Sequence, residues 1–441
     1  MSDKKTIIQN IAWTGGVQVA NLVLPLLTLP IIARIVGPEK LGVINYAAAI
    51  VAYFTLVVNY SFDLTATRQV AQYQHDPVKI NQLFSTVLYT KLLLFLVSTA
   101  GFFAVYWLMP GFRADGRVAL FSYLITIAYV ITPNWLFQGM QHMRQLALFN
   151  LLSKVIFTVV ILLLVRQETD YFWQPLAMSV AQVVVGIGAF VYALVRYHIR
   201  LGGWDWPSVR ESLWEGKTVF MTQVTMNLYT TTSIVILGIF QNAEQVGQYT
   251  AANRLIGVAQ ALLFYPINNT LFPYIGAAFG RSQAEGVEVV RRLIPFSFAF
   301  AFVYSVSIFV MSPLVIYVIY GEQFEPAVLV LRILAFQPFI VNCNSFFGIQ
   351  TMINLKMDAA FFRVTCLAAV VGVTLNAAMA NWFGYIGTAF SLVFMELFIC
   401  TCLYISLKRA SISLLDGRYL NWHYLVSSTR ALFQRQKPEV V

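Results

Sequence analysis

The sequence predicts an all-α polytopic membrane protein with twelve transmembrane helices in two six-helix lobes. Of the 441 residues, 59% are hydrophobic and only 11% are charged, and the mean hydropathy is +0.70. Soluble domains carry about 25% charged residues, so the composition places the chain in the membrane class. Apolar runs of ~20 residues, the length that crosses a bilayer as a helix, recur along the whole chain.

The apolar runs fall into two sets of six, separated by a polar connection with three tryptophans. The first set lies at 11–34, 42–62, 83–108, 118–138, 146–165 and 175–196. The second set lies at 218–240, 248–274, 293–320, 327–350, 361–383 and 385–407. We therefore expect an N-terminal lobe at 1–196, a cytoplasmic interfacial linker at 197–217, a C-terminal lobe at 218–407 and a basic cytoplasmic tail at 408–441.

Loop charges predict the orientation. Of the 29 lysines and arginines, 20 lie in segments on the side of the N-terminus, six lie on the opposite side and three lie inside spans. Because cytoplasmic loops carry the excess of positive charge, both termini are predicted to be cytoplasmic. The net charge of +10 is explained by these loops, and no soluble basic domain is present to hold nucleic acid.

The two halves show a weak internal repeat. Gly42 aligns with Gly247 at an offset of 205 residues, which also aligns Glu39 with Glu244. Both matches fall between the first and second span of each half. Two halves of six spans with the same orientation predict parallel repeats related by a pseudo-two-fold axis along the membrane normal, with a cavity between them.

Three cations lie inside spans, namely Arg254, Lys91 and Lys154. A charge at the bilayer centre costs at least ~2.5–3.5 kcal/mol, so such side chains normally face protein or water. Arg254 is the deepest, whereas Arg34 and Arg332 lie closer to span ends. Snorkelling to the membrane surface is the alternative for all five, and it is least suited to Arg254.

Acidic side chains do not balance these cations. Glu396 is the one deep carboxylate, and Asp63 lies near the inner end of the second span. An excess of intramembrane cations favours an anionic ligand in the cavity. Glu396 and Asp63 are candidates for ion coupling, and a structural pair between Glu396 and a basic residue is the alternative.

Polar side chains also recur at helical spacing. Gln18 and Asn21 do so in the first span, Gln223 and Asn227 in the seventh, and Asn344 with its neighbours in the tenth. Such stripes either join helices through hydrogen bonds or line a wet lumen that binds sugar hydroxyls. Both interpretations are open at this stage.

Prolines within spans predict bent helices. The candidates for hinges or gates are Pro25, Pro30, Pro133 and Pro266. Each removes a helix hydrogen bond, which is tolerated where a neighbour or cavity water satisfies the freed carbonyl. A static kink is the alternative to a gate.

Signatures of catalysis, cofactors and metals are missing from the sequence. The chain has no P-loop and neither a GxSxG nor an HExxH motif. The four cysteines fall in predicted spans and the four histidines in loops or the tail, so we expect no metal site and no cofactor. These features exclude ATP hydrolysis by this chain and favour a transporter over an enzyme.

Four motifs resemble the polysaccharide-exporter family, and more narrowly its O-antigen-unit flippase branch (Wzx type). They are "RIVGPEKLGVINYAAAI" (34–50), "LTATRQVA" (64–71), "NWLFQGM" (134–140) and "YTAANRL" (249–255). The resemblance covers about the first 290 residues. It implies a fold similar to multidrug-and-toxin exporters and lipid II flippases, which belong to one exporter superfamily (MOP).

The resemblance also implies a substrate and a location. The substrate would be an oligosaccharide unit on undecaprenyl pyrophosphate, moved across a bacterial inner membrane from the cytoplasmic to the periplasmic leaflet. A polysaccharide polymerase and a chain-length regulator are candidate partners. The alternatives are a cation-coupled exporter of amphipathic small molecules on the same fold, and a membrane glycosyltransferase, polymerase or ligase. Short outer loops argue against the second class.

Overall fold

The computed structural model describes residues 2–419, with side chains from Thr28 onward except at positions 226, 228–230, 263, 265, 266 and 269. Within this part of the chain every regular element is a helix and no strand is formed. The side chains of Gln18, Asn21, Pro25 and Pro266 lie outside the described ones.

Sixteen α-helices are defined within the described range. They are α1 (Ser2–Asn59), α2 (Phe62–Tyr73), α3 (Pro77–Leu108), α4 (Pro110–Arg113), α5 (Gly116–Tyr123), α6 (Ile125–Ile131), α7 (Asn134–Gly139), α8 (Met143–Leu164), α9 (Trp173–Arg196), α10 (Trp206–Thr230), α11 (Thr232–Phe240), α12 (Ala243–Arg281), α13 (Gln283–Ile319), α14 (Ala327–Leu334), α15 (Gln337–Asn344) and α16 (Asp358–Arg409). Two 3₁₀ turns, Glu168–Phe172 and Glu322–Phe324, and a π-helix, Ser345–Ile353, complete the set.

Two of the longest helices are broken at a glycine. Gly37 has φ 72° inside α1, and Gly384 has φ 57° inside α16. A side chain is strained at positive φ, so glycine allows the chain to end one helix and start the next without a loop. The breaks coincide with the predicted boundaries between the first two spans and between the last two.

Eight of the described helical segments are long and apolar enough to cross a membrane. One of them, Asp358–Arg409, contains the break at Gly384 and covers the predicted eleventh and twelfth spans. The predicted seventh and eighth spans fall on α10 to α12, where several side chains are not described. The all-helical membrane class is confirmed, and the count of twelve spans stays a prediction.

Two segments differ from the sequence-based expectation. Helix α10 begins at Trp206, so the second half of the predicted linker is helical. The predicted tenth span is divided into α14, α15 and the π-helix. A π-helix inside a span is a common feature of functional segments, and hydropathy alone does not reveal it.

The described chain forms two compact units, Met1–Thr250 with Ile319–Gln323, and Ala251–Val318 with Phe324–Val441. In the first unit an aromatic core joins Phe84 of α3 to Trp135 and Phe137 of α7. Helix α9 contributes the small buried residues Ala189 and Ala193 to this core. Small side chains allow helices to approach closely, which is the main source of packing energy inside a membrane.

The core of the second unit is formed by the π-helix, α13 and α16. Phe298 packs edge-on against Phe346 and Phe347 of the π-helix. Leu403 and Leu407 of α16 are buried in the same cluster. This core holds the π-helix in place although its hydrogen-bond pattern is less favourable than that of an α-helix.

Candidate functional site

Arg254 is exposed on α12, eleven residues after the helix begins at Ala243. Residues 246–252 are buried and Asn253 is half-buried, so Arg254 is the first exposed position of α12 after this stretch. No hydrogen bond or ion pair is formed by its guanidinium within the described part of the chain. None of its five N–H donors is therefore engaged by a described residue.

The surface next to Arg254 is made of small residues. Gly257 lies one turn further on the same face, and a Cβ placed there would meet no atom within 4 Å. Ala261 follows one turn later at the same side of α12. On α12, the side of Gly257 and Ala261 therefore carries less side-chain bulk than the side of Val258.

Lys91 differs sharply from Arg254, because it is only 2% exposed. Its Nζ donates to the backbone oxygen of Tyr129 at 3.0 Å and to Asn59 Oδ1 at 3.2 Å. The Tyr129 oxygen would bond the amide of residue 133 in a continuous helix, but Pro133 has no N–H. The lysine therefore satisfies the carbonyl that the proline leaves free.

The same network reaches one of the predicted coupling carboxylates. Asn59 Nδ2 donates to Asp63 Oδ2 at 2.5 Å while its Oδ1 accepts from Lys91. The amide thus bridges a buried ammonium and a carboxylate within one compact unit. Such a bridge compensates both charges without direct contact, which lowers the penalty of burying them.

Pro133 was predicted to bend the fourth span, and the break is confirmed. Helix α6 ends at Ile131 and α7 begins at Asn134, with Thr132 extended between them. Pro30 lies in α1 at a half-buried position, seven residues before the only non-helical residue of that helix, Gly37. A gating role for either proline stays a prediction.

The remaining predicted cations are accessible to different degrees. Arg34 is exposed, and its Nε donates to the backbone oxygen of Ile319 at 3.3 Å. Arg332 is exposed and donates from Nε to Ser312 Oγ at 3.2 Å, with its guanidinium over the ring of Phe309. Lys154 is half-buried on α8.

Glu396 is 6% exposed and is bonded by an amide. Asn344 Nδ2 donates to Glu396 Oε2 at 2.8 Å and to its backbone oxygen at 3.1 Å. This contact joins the end of α15, where the π-helix begins, to α16. Asn344, predicted to contact substrate, is therefore committed to the carboxylate, and its Oδ1 is buried with no hydrogen-bond partner among the described residues.

The polar stripe of the predicted seventh span lies on α10. Gln223 and Asn227 are half-buried, and Asn227 Nδ2 donates to the backbone oxygen of Gln223 at 3.1 Å. A bond to the preceding turn of its own helix does not join Asn227 to another helix. This geometry keeps both side chains available as hydrogen-bonding groups.

Repeat-related residues meet directly in the first unit. A Cβ on Gly42 would overlap the carbonyl group of Ala243, and a Cβ on Gly247 would overlap that of Pro38. The overlap is reciprocal, so α1 and α12 cross at the two aligned glycines. Beside the crossing, Asn45 Nδ2 donates to Thr250 Oγ1 at 2.8 Å.

Asn45 and Thr250 are not among the site residues predicted from the sequence, although the offset of the internal repeat connects them. The same crossing is joined by a segment from far along the chain, Ile319–Gln323. Gln248 Nε2 donates to the backbone oxygen of Gln323 at 3.0 Å, and Arg34 contacts Ile319. The start of α12 is thus fixed to the break in α1 by several independent contacts.

A family model described as "Polysaccharide biosynthesis protein" matches residues 7–279, more than half of the chain. The chain belongs to this family. The match contains α1 through most of α12, and therefore includes the glycine crossing, the Lys91 network and Arg254. The resemblance stated from the four sequence motifs is confirmed.

One curated relative is similar to this chain over nearly the whole length of both proteins. It is the "Putative O-antigen transporter" of Escherichia coli (strain K12), 26% identical over 396 residues, which are 90% of this chain and 95% of the relative. The similarity covers both predicted lobes.

Two solved structures show the fold. The structure "Lipid II flippase MurJ, inward closed conformation" superimposes with a TM-score of 0.72 at 12% identity, covering 90% of this chain and 87% of the other. An inward-facing multidrug resistance MATE family transporter of the MOP superfamily gives 0.64 at 12% identity, covering 89% and 95%. This member of the polysaccharide biosynthesis family is thus a multi-pass membrane protein with the fold of that superfamily.

Proposed function

We propose that the chain is a flippase for undecaprenyl-pyrophosphate-linked oligosaccharide repeat units of O-antigen or a similar surface polysaccharide. It would move them from the cytoplasmic to the periplasmic leaflet of a bacterial inner membrane, with both termini in the cytoplasm. The family and the E. coli relative support the substrate class. The role is that of a transporter and involves no catalytic residue.

The exposed guanidinium of Arg254, which no described residue engages, carries the proposal. A permanent cation deep in a predicted span is stable only if water or an anion compensates it. The diphosphate of a lipid-linked glycan provides such an anion, and a planar guanidinium can bind it through two parallel N–H···O bonds. The small residues beside Arg254 leave room for a bulky headgroup.

The other cations would act before and after Arg254. Lys154 is half-buried and would attract the phosphates from the cytoplasmic side. Lys91 can join only after its ammonium leaves Asn59 and the Tyr129 oxygen. Arg34 and Arg332, both exposed, would hold the diphosphate near the outer exit.

Sugar hydroxyls would bind to amide side chains. Gln223 and Asn227 remain available on α10, whereas Asn344 is held by Glu396. Glu396 and Asp63 remain candidates for ion coupling. Each is a carboxylate that accepts a hydrogen bond from an asparagine amide, from Asn344 in the case of Glu396 and from Asn59 in the case of Asp63.

Alternating access would move the headgroup through a cationic passage while the polyprenyl chain stays in lipid. The two similar structures bear the titles "inward closed" and "inward-facing", so the fold is known in more than one conformation. The crossing of Gly42 and Gly247 is the contact that we expect to open. An inside-negative potential favours outward movement of negative charge by ~2.3 kcal/mol per charge per 100 mV.

The experiment is a translocation assay with the purified chain in vesicles that contain a fluorescent lipid-linked oligosaccharide diphosphate. Wild-type protein should expose the glycan to a glycosidase added outside, and Arg254→Ala should not. The matched control is Arg363→Ala, an exposed arginine on α16. Equal translocation by the Arg254 variant would overturn the proposal, and export of cationic dyes without glycan movement would favour the multidrug exporter instead.

A further inference from the structure

The segment 198–217 is fixed to the start of α3 by three hydrogen bonds. Tyr89 donates its hydroxyl to the Gly202 oxygen at 2.7 Å, and the Gly202 amide donates to Ser85 Oγ at 2.9 Å. The Arg200 amide donates to Asn81 Oδ1 at 3.2 Å. The connection between the predicted sixth and seventh spans is therefore a docked element with a defined position along α3.

The length of α3 places this element at the edge of the hydrocarbon. Its 32 residues extend ~48 Å, whereas the hydrocarbon core is ~30 Å thick. Helix α3 is thus ~18 Å longer than the hydrocarbon core. Its last turn ends with the exposed apolar residues Trp107 and Leu108, so we place that end at the hydrocarbon and the extra length at the polar first turns. Tyr89 lies twelve residues after Pro77, which is also ~18 Å, and so marks the boundary.

Two exposed tryptophans stack at this level, and a third lies further along α10. Trp204 packs against Tyr89 with ring centroids 5.7 Å apart, and Trp206 stacks on Trp204 at 6.2 Å. Their exposed fractions are 52% and 51%, and Trp214 is 70% exposed. Tryptophan is enriched where hydrocarbon meets lipid headgroups, since its ring is apolar and its N–H needs a hydrogen-bond acceptor.

Exposed arginines flank the stacked pair in sequence, and Arg210 lies one turn after Trp206 on α10. Arg200 precedes Trp204 by four residues, and Arg210 follows Trp206 by four. Neither guanidinium has an ion-pair partner among the described residues. Of the three acids of the segment, Asp205 accepts from Ser208 and Glu215 accepts from Gln69, and Glu211 is exposed next to Arg210 in sequence.

We propose that segment 198–217 binds the headgroups of anionic phospholipids of the leaflet that it faces. Trp204 and Trp206 would enter the interface beside the acyl chains, and Arg200 and Arg210 would hold the lipid phosphates. This inference is independent of the flippase proposal, since it concerns bulk lipid rather than transported substrate. The segment carries three bases and three acids, so the preference for an anionic over a zwitterionic headgroup depends on the two guanidiniums beside the stacked rings and not on net charge.

The test uses the full chain reconstituted in bilayers that contain a small fraction of lipid with brominated chains. Bromine quenches tryptophan emission on contact, and subtracting the emission of Trp204→Phe/Trp206→Phe isolates these two rings. We expect brominated phosphatidylglycerol to quench them at a lower mole fraction than brominated phosphatidylcholine. Arg200→Gln/Arg210→Gln should reduce this preference about fivefold for each arginine.

The control variant Arg113→Gln/Arg166→Gln removes two charges from loops predicted on the other face, and it should keep the preference. Equal quenching by both brominated lipids would overturn the proposal, as would no quenching by either. Soluble glycerol phosphate should not compete. If it abolished the preference, the arginines would bind free phosphate esters and the assignment to lipid would be wrong.

Discussion

Asn45 and Thr250 are separated by 205 residues, the offset of the internal repeat, and they are bonded to each other. Both residues lie where α1 and the start of α12 cross, beside Gly42 and Gly247. A motion that separates α1 from the start of α12 must break this bond or pivot about it.

The pair offers a reversible lock. We expect Asn45→Cys/Thr250→Cys to form a disulfide under oxidation, because the two side chains are in contact. Translocation in the vesicle assay should fall to background when oxidised and return on reduction. The single variants, which contain the same four native cysteines, should be insensitive to oxidant. Full translocation by the locked protein would mean that the crossing does not open during transport.

The glycine crossing should tolerate no added methyl group. Gly42→Ala or Gly247→Ala forces a Cβ against a backbone carbonyl of the partner helix, an overpacking that destabilises by about 1–3 kcal/mol. Thermal unfolding in detergent should show a lower midpoint for both. Gly188→Ala in α9 is the matched control, since its Cβ would meet nothing within 4 Å, and it should unfold like the wild type.

The helical membrane class could be predicted from sequence because hydropathy is a property of single segments. The break at Pro133 was predictable for the same reason, since the missing N–H is a local property. Its consequence was not predictable. Which neighbour donates to the Tyr129 oxygen depends on the packing of α3 against α6. The sequence around Lys91 does not indicate that the lysine is this donor.

Polar partners across helices were the least predictable part of the site. Glu396 was expected to pair with a basic residue or to couple an ion, and the structure shows the amide of Asn344 as one donor to it. The number of charged residues in a sequence carries no information on the distances between them, so it cannot show which side chains are bonded to each other. Conversely, applying the offset of 205 to every polar residue of 34–50 would have connected Asn45 with Thr250.

The contribution of Lys91 to the free energy of unfolding should depend on the presence of Pro133. Lys91→Met leaves the Tyr129 oxygen and Asn59 without their donor, and we expect a loss of about 2 kcal/mol in thermal unfolding. In a Pro133→Ala background the restored N–H can bond that oxygen, so the same substitution should destabilise less. Additive effects in this double-mutant cycle would show that the lysine does not compensate for the proline.

Glu396 can be separated from its structural partner by an isosteric change. Glu396→Gln keeps an oxygen that accepts from Asn344 Nδ2, so the unfolding midpoint should stay close to that of the wild type. If the carboxylate couples an ion, translocation should lose its dependence on a pH or sodium gradient while basal movement continues. Asn344→Ala is the comparison, and it should lower stability by about 1–3 kcal/mol, since a buried charge loses its donor. Unchanged gradient dependence in Glu396→Gln would remove it from ion coupling.

Substitution of Arg254 should leave folding unchanged and abolish transport. Because its guanidinium has no hydrogen-bond or ion-pair partner among the described residues, Arg254→Ala should insert and unfold normally yet fail to restore surface polysaccharide in a deletion strain. Arg254→Lys should restore it in part, since a point charge attracts the diphosphate but lacks the two parallel donors of the planar fork. Lipid-linked repeat units should accumulate on the cytoplasmic side in proportion to the defect. A lysine variant as inactive as the alanine variant would show that the fork geometry, and not the charge alone, holds the headgroup.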